Sequence, residues 1–401
     1  MHSSTFIGSL ELLPHQLRQH VLVLGSSGSG KSTLLRALFS QHANRGDGIL
    51  FVDPHGDDAL AALDLIPRSR SNQVCYLDVG EPDTFVGIDL GFHVQDPNER
   101  ALRVQLLVHA MHGIWADSWG PRLEAILRNS LAALMYCPGA TLVMLPEFLT
   151  ESSFRRSVLA EVGDPVISGF FRGEFDAWPT RDRETFVQPV LNKTGAFLFS
   201  PIVRRMLGDP KGKLSFEHAL ATKKIVVCNL AKGAIGAEPA RLLGALILAC
   251  VQAAAMARYK IKPELRHDFH VLVDEVASFG GASFIKEMLE ELRKQNVSMT
   301  LASQMLAALH PDLREAVLTN CQTVVAYRIS PTDADVLAPH LGRLQQDFNP
   351  ARFGDLDRGE CIVRRFGDDA HYMQMGPPPV GRGTAATIIK QSKRHYSRAA
   401  R

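Results

Sequence analysis

Short, unbroken apolar runs recur along this chain, separated by longer segments in which apolar residues return every three or four positions. The runs His20–Leu24, Gly48–Asp53, Gln73–Val79, Lys224–Leu230, Phe269–Val273, Val297–Ala302 and Thr323–Ile329 are rich in β-branched residues and do not alternate with polar ones. Continuous runs predict strands covered on both faces, as in a parallel sheet, and the helical segments between them suit right-handed crossovers. From Asp96 to about Ser200 the strand signal nearly vanishes. There Leu123, Ile126, Leu127, Leu131 and Leu134 form one helical stripe, and Pro146-Glu147 and Asp164-Pro165 read as helix starts. Glu360–Arg365 and Ala370–Met375 predict a hairpin about Phe366-Gly367-Asp368-Asp369, and Pro377-Pro378-Pro379 opens a tail. The expectation is an α/β fold with a mainly parallel sheet, its core in residues 1–95 and 201–376, interrupted by an all-helical insertion domain at 96–200. Residues 377–401 are expected to be a Pro-rich turn and a basic flexible tail.

Composition narrows the class. The 401 residues are 46% hydrophobic and 21% charged, a globular profile too long for one ordinary domain. Six scattered cysteines without a C-x-x-C pair suggest neither a disulfide framework nor a zinc ribbon. The longest apolar stretch, Leu242 to Ala257, contains Gln252 and lies between Arg241 and Arg258; it is shorter than a bilayer needs and predicts a buried core helix. The expected chain therefore has no transmembrane segment and no signal peptide, and is cytoplasmic.

The sharpest local signal is Gly25-Ser26-Ser27-Gly28-Ser29-Gly30-Lys31-Ser32-Thr33, which matches G-x-x-x-x-G-K-[ST] between an apolar strand and a helical run. Glycines let such a loop wrap phosphates with backbone N–H groups, and the helix N-terminus adds a favourable dipole. Lys31 would reach the β- and γ-phosphates of ATP, and Ser32 would ligate Mg²⁺. Phe269–Val273 ends in Asp274-Glu275, the Walker B pattern: Asp274 for the metal shell, Glu275 to polarise the attacking water. Asp53-Pro54-His55-Gly56-Asp57 follows the second strand, at the strand end where doubly wound sheets bind ligands, or simply makes a tight turn. Gln304 ends another strand and could bond the γ-phosphate or water. Arg293 lies off the apolar stripe of its helix, three residues after Glu290, as a surface ion pair would.

Together these pieces resemble the HerA–FtsK superfamily of hexameric DNA-pumping ATPases, most closely its conjugative coupling-protein branch of type IV secretion. The resemblance runs from about Val21 to Met375. It rests on the P-loop, FVDPHGD (51–57), GPRLEAILRNSLAAL (120–134), VLNKTGAFL (190–198), LLGALIL (242–248), HVLVDE (270–275) and LASQ (301–304). It implies a RecA-like core, a six-membered homo-oligomeric ring around DNA, and ATP sites between neighbours. By position Gln304 looks like the sensor glutamine, Arg293 like the finger donated in trans, and Asp53 and His55 like residues of the site edge. Coupling proteins carry N-terminal membrane helices, whereas this chain starts almost directly at the core. That favours a translocase acting with a nuclease, relaxase or secretion partner.

Three functions stay open: a DNA translocase, an ATPase that energises protein secretion or pilus assembly, and a nucleotide-gated scaffold. Charge bears on the first. Lys+Arg 44 against Asp+Glu 42 gives +2. However, residues 381–401 hold six basic and no acidic side chains, leaving 38 basic against 42 acidic elsewhere. The insertion has 10 Lys+Arg and 12 Asp+Glu in residues 96–200, so no basic face is legible there. Sequence-independent backbone contact would fall to a local channel or to the tail.

Overall fold

The computed structural model describes residues 5–279, 281–341, 350–365 and 367–400. Its strands, in chain order, are β1 (Thr5–Ile7), β2 (Leu10–Leu12), β3 (Val21–Leu24), β4 (Gly48–Asp53), β5 (Val74–Asp78), β6 (Thr84–Val86) and β7 (Ile225–Asn229). They continue as β8 (Phe269–Val273), β9 (Val297–Ser303), β10 (Thr323–Ala326), β11 (Glu360–Arg365), β12 (His371–Gln374) and β13 (Ser397–Ala399). Nine of them form one sheet in the order β12-β11-β10-β3-β9-β8-β4-β7-β5. Strands β7, β4, β8, β9, β3 and β10 are parallel, and the β11–β12 hairpin adds antiparallel strands at one edge. This is the expected α/β fold, and all the expected strands are present. The hairpin's turn includes Phe366, which lies outside the described residues.

Burial explains the continuous runs. Strands β3, β4, β8, β9 and β10 are buried at every position, so both faces must be apolar. On one face the P-loop helix Lys31–Arg45 packs Leu34, Leu35, Leu38 and Phe39 into a cluster with Val21, Val23, Ile49 and Phe51.

The chain divides into two compact units. One comprises residues 1–77, 218–231 and 258–395 and holds nearly all of the nine-stranded sheet. The other comprises residues 78–217, 232–257 and 396–401. The second is mainly helical, yet wider than the insertion expected at 96–200, and it includes the β6–β13 pair. It also takes in helix Ala237–Met256, which packs on helix Pro97–Ile114. That helix is apolar on almost every side, so it needs helices around it rather than one sheet face. By length and composition Ala237–Lys260 could cross a membrane, but 83% of its apolar window is buried within the protein. The described cysteines are free, and five of the six are buried.

The expected flexible tail is instead ordered. Residues Ala385–Tyr396 are helical, and Thr384, Ile388 and Ser392 recur at i, i+4 and i+8 as its buried stripe. Asp64 Oδ1 accepts the Thr384 and Ala385 N–H groups at 2.7 and 3.1 Å, and Ser392 Oγ accepts the Tyr76 N–H at 2.8 Å. Arg398 pairs with Asp209 at 2.8 Å. Two of the three buried members, Thr384 and Ser392, are polar, so no apolar periodicity marks this helix in the sequence.

Candidate functional site

Strand β3 delivers Gly25 to the carboxyl edge of the sheet, where the loop turns back over the end of its own helix. Three backbone bonds fix that loop from both sides. Gly25 N–H donates to Ser303 O at 3.3 Å, Ser26 N–H to Arg328 O at 2.8 Å, and Ser29 N–H to Ser26 O at 3.3 Å. Gly28 and Gly30 have φ of 76° and 129°, in the region only glycine enters cheaply. The phenol ring of Tyr327, just past β10, forms the floor. Sequence reasoning missed it, because an aromatic closing an apolar strand reads as core.

The loop bounds a cavity of about 380 Å³. Ser27, Gly28, Gly30, Lys31, Ser32 and Thr33 line it, as do the predicted His55, Asp274, Glu275 and Gln304. Residues far apart in sequence thus meet because β3, β9 and β8 are neighbours ending at one edge. Four further residues line it without having been predicted: Arg36, Asp57, Asp58 and Arg358. Arg36 could have been found one helical turn after Ser32. It pairs with Asp58 at 3.4 Å, whereas Arg358 has no local motif to mark it.

Three predicted loop residues, Gly25, Ser26 and Ser29, do not line the cavity with side chains. The Ser26 and Ser29 hydroxyls are buried and have no hydrogen-bond partner among the described residues, which suits a loop that reorganises around an anion. Asp53 differs from expectation more clearly. It is fully buried and absent from the cavity lining. Its Oδ1 accepts the His55 N–H and its Oδ2 the Ala59 N–H, both at 2.8 Å, so it builds the turn that presents His55 and starts helix Asp57–Leu63.

Arg293 is not brought to this cavity. It is exposed in the short turn after helix Ala282–Glu291, close enough to His20 to add to the burial that lowers that imidazole's pKa. His20 precedes β3, so Arg293 stands at the opposite sheet edge from the P-loop of its own chain. The ion pair in this turn is Lys294–Glu291 at 2.9 Å.

Charge in the cavity is unbalanced in a way that suits a cation. Burial, with Asp53 and Asp58 nearby, raises the Asp274 carboxyl to about 7. Burial also lowers the Lys31 ammonium from its ordinary value, against the pull of Asp274 and Glu275. Lys31 Nζ donates to the Gly25 and Ser26 carbonyls, the latter at 3.1 Å. Glu275 adopts a left-handed φ of 56°, uncommon for a non-glycine residue, and its Oε1 accepts the Ser303 hydroxyl at 3.4 Å. Ser32 and Asp274 line the cavity together and could hold a divalent ion, and Lys31 with the loop N–H groups could hold phosphates.

One other ligand-type cluster occurs among the described residues: His42, Asp47 and His270. The imidazoles stack at 3.6 Å, and Arg45 Nη2 lies 2.6 Å from His42 Nδ1 and 2.7 Å from Asp47 Oδ2. A guanidinium already supplies the positive charge there, so this is an internally neutralised cluster.

Residues 12–89 match the family model described as the helicase HerA central domain, and residues 268–347 that described as the TraM recognition site of TraD and TraG. No curated protein matches the chain. Among solved structures, the plasmid coupling protein TrwB with a non-hydrolysable ATP analogue superposes with a TM-score of 0.70 at 17% identity, over 96% of this chain and 91% of that one. TrwB with ADP and Mg²⁺ gives 0.68 at 18%, over 95% and 91%. VirB4 of Thermoanaerobacter pseudethanolicus gives 0.59 at 13%, over 90% of each. The fold is that RecA-like P-loop fold. The matches fit the coupling-protein branch of the HerA–FtsK superfamily.

Proposed function

We propose that this chain is a Mg²⁺-dependent ATPase that works as a homohexameric, cytoplasmic DNA translocase of the HerA and conjugative coupling type. The observation that carries the reading is the meeting of Lys31, Ser32, Asp274, Glu275 and Gln304 around one cavity under a glycine-rich loop. Lys31 exchanges its carbonyl partners for the β- and γ-phosphates, and the loop N–H groups hold the phosphates in line. Bound Mg²⁺ would neutralise phosphate charge from its place on Ser32 and Asp274. Glu275, aimed by Ser303, orients and polarises the attacking water, and Gln304 bonds that water or the γ-phosphate. TrwB in complex with ADP and Mg²⁺ supports the ligand choice. The exposure of Arg293 away from its own cavity suits donation to a neighbour's site in a ring.

DNA is the favoured cargo because one matched family model is a helicase domain, that of HerA, and the other is the TraM recognition site of TraD and TraG. A relaxase, nuclease or secretion complex is the corresponding partner class. Likeness to VirB4 gives a second reading, an ATPase that energises secretion without moving DNA. Electron microscopy of the protein with an ATP analogue and duplex DNA separates them. Six-fold rings threaded by DNA support translocation, and rings indifferent to DNA support the second reading.

A further inference from the structure

Strand β11 runs antiparallel to β10, whereas β10 and β3 are parallel, so the residues entering β11 stand at the P-loop's own sheet edge. They form a tight turn. Glu360 N–H donates to Asp357 O at 3.0 Å, Asp357 N–H to Glu360 Oε2 at 2.8 Å, and Gly359 takes a φ of 88°. Gly359 N–H donates in turn to Ser29 O at 3.0 Å, which fastens the turn to the P-loop itself. Gly359 O accepts the Met375 N–H at 2.9 Å, tying the turn to the end of the hairpin.

Arg358 projects from this turn into the cavity, exposed, with no hydrogen bond or ion pair to its guanidinium among the described residues. Arg36, by contrast, is engaged with Ser32 O at 3.3 Å and with Asp58. A permanent cation carried on a turn that is tied to the P-loop backbone, lining a cavity of about 380 Å³ and without an ion-pair partner among the described residues, is a feature that packing does not explain.

Its side of the cavity indicates which part of a nucleotide it meets. Asp274, Glu275 and Gln304 follow β8 and β9, on one side of β3, and Arg358 comes from the β10–β11 side. A triphosphate with its terminal phosphate near Lys31 and the carboxylates has its α-phosphate on the Arg358 side. We propose that Arg358 is a nucleotide-binding residue acting within its own chain, and that its guanidinium grips the α-phosphate, the end that does not react. This rests on the cavity being an ATP site. Such a contact is equally strong before and during phosphoryl transfer, so it contributes to affinity and leaves the chemical step alone.

The test compares wild type, Arg358→Ala and Arg358→Lys by calorimetric binding of ADP and of a non-hydrolysable ATP analogue, and by steady-state hydrolysis. The Ala variant should weaken both ligands by the same factor, about tenfold, raise KM to match and keep kcat within about twofold. The Lys variant should recover part of the loss, since it keeps the charge without the fork. Unchanged affinity for both ligands would overturn the proposal, as would a fall in kcat with ADP affinity intact. If wild-type protein bound neither nucleotide, the ATP-site reading itself would fail. If only the variant were indifferent, the Arg358 assignment alone would fail.

Discussion

Gly30 rests on the ring of Tyr327: a β-carbon at Gly30 would stand 2.9 Å from Tyr327 Cε1. The loop's glycine thus answers two demands at once, a φ of 129° and an aromatic floor with no room above it. Gly30→Ala should therefore cost about 1–3 kcal/mol of local strain. Nucleotide affinity should fall at least tenfold in a binding titration while the circular dichroism spectrum stays native.

Asp53 and His55 are adjacent in motif but separate in consequence. Asp53→Ala removes the acceptor of two backbone N–H groups from a buried turn, and should lower unfolding free energy by about 2–4 kcal/mol. His55 is exposed, so His55→Ala should leave stability within about 0.5 kcal/mol and act, if at all, on nucleotide affinity. Chemical denaturation of both variants checks the contrast.

Two buried imidazoles should make the fold sensitive to mild acid. Burial lowers His20 to about 4 and His42 to about 3. In neutral His20, Nε2 lies 2.8 Å from Leu289 O and Nδ1 accepts the Met299 N–H at 2.9 Å, so no site remains for a second proton. The unfolded chain binds protons below its ordinary value of 6.5 and the folded chain does not, so stability is lost as pH falls from 6.5 toward 4. At pH 5 the two together should cost on the order of 4 kcal/mol relative to pH 7, read from urea unfolding at the two values.

The trans role proposed for Arg293 has its own test. Arg293→Ala subunits keep a working Lys31, and Lys31→Ala subunits keep a working Arg293. Each variant alone should be inactive, and mixtures should regain part of the ATPase activity. No recovery at any ratio would remove Arg293 from the neighbour's site.

The strands were legible because burial on both faces forces continuous apolar runs, and the P-loop and Asp274-Glu275 because their chemistry needs contiguous residues. What escaped depends on distance in the fold. Arg358 belongs to the site only because β11 reverses direction beside β10, and no local spacing encodes that. The burial of Asp53 was hidden for a similar reason: a carboxylate at a strand end reads as a ligand until its partners, His55 and Ala59, are seen. The β6–β13 pair joins segments some 300 residues apart and three residues long, too short for any periodicity to announce.

The most direct test of the account is ATP turnover by wild type and by Glu275→Gln, each with and without duplex DNA. Wild type should hydrolyse ATP with Mg²⁺ and respond to DNA with a severalfold rise, whereas Glu275→Gln should bind ATP and turn it over at least a hundredfold more slowly, the scale on which general-base groups act. Normal hydrolysis by Glu275→Gln would contradict the active site described here, and a wild-type rate unmoved by DNA would contradict the motor.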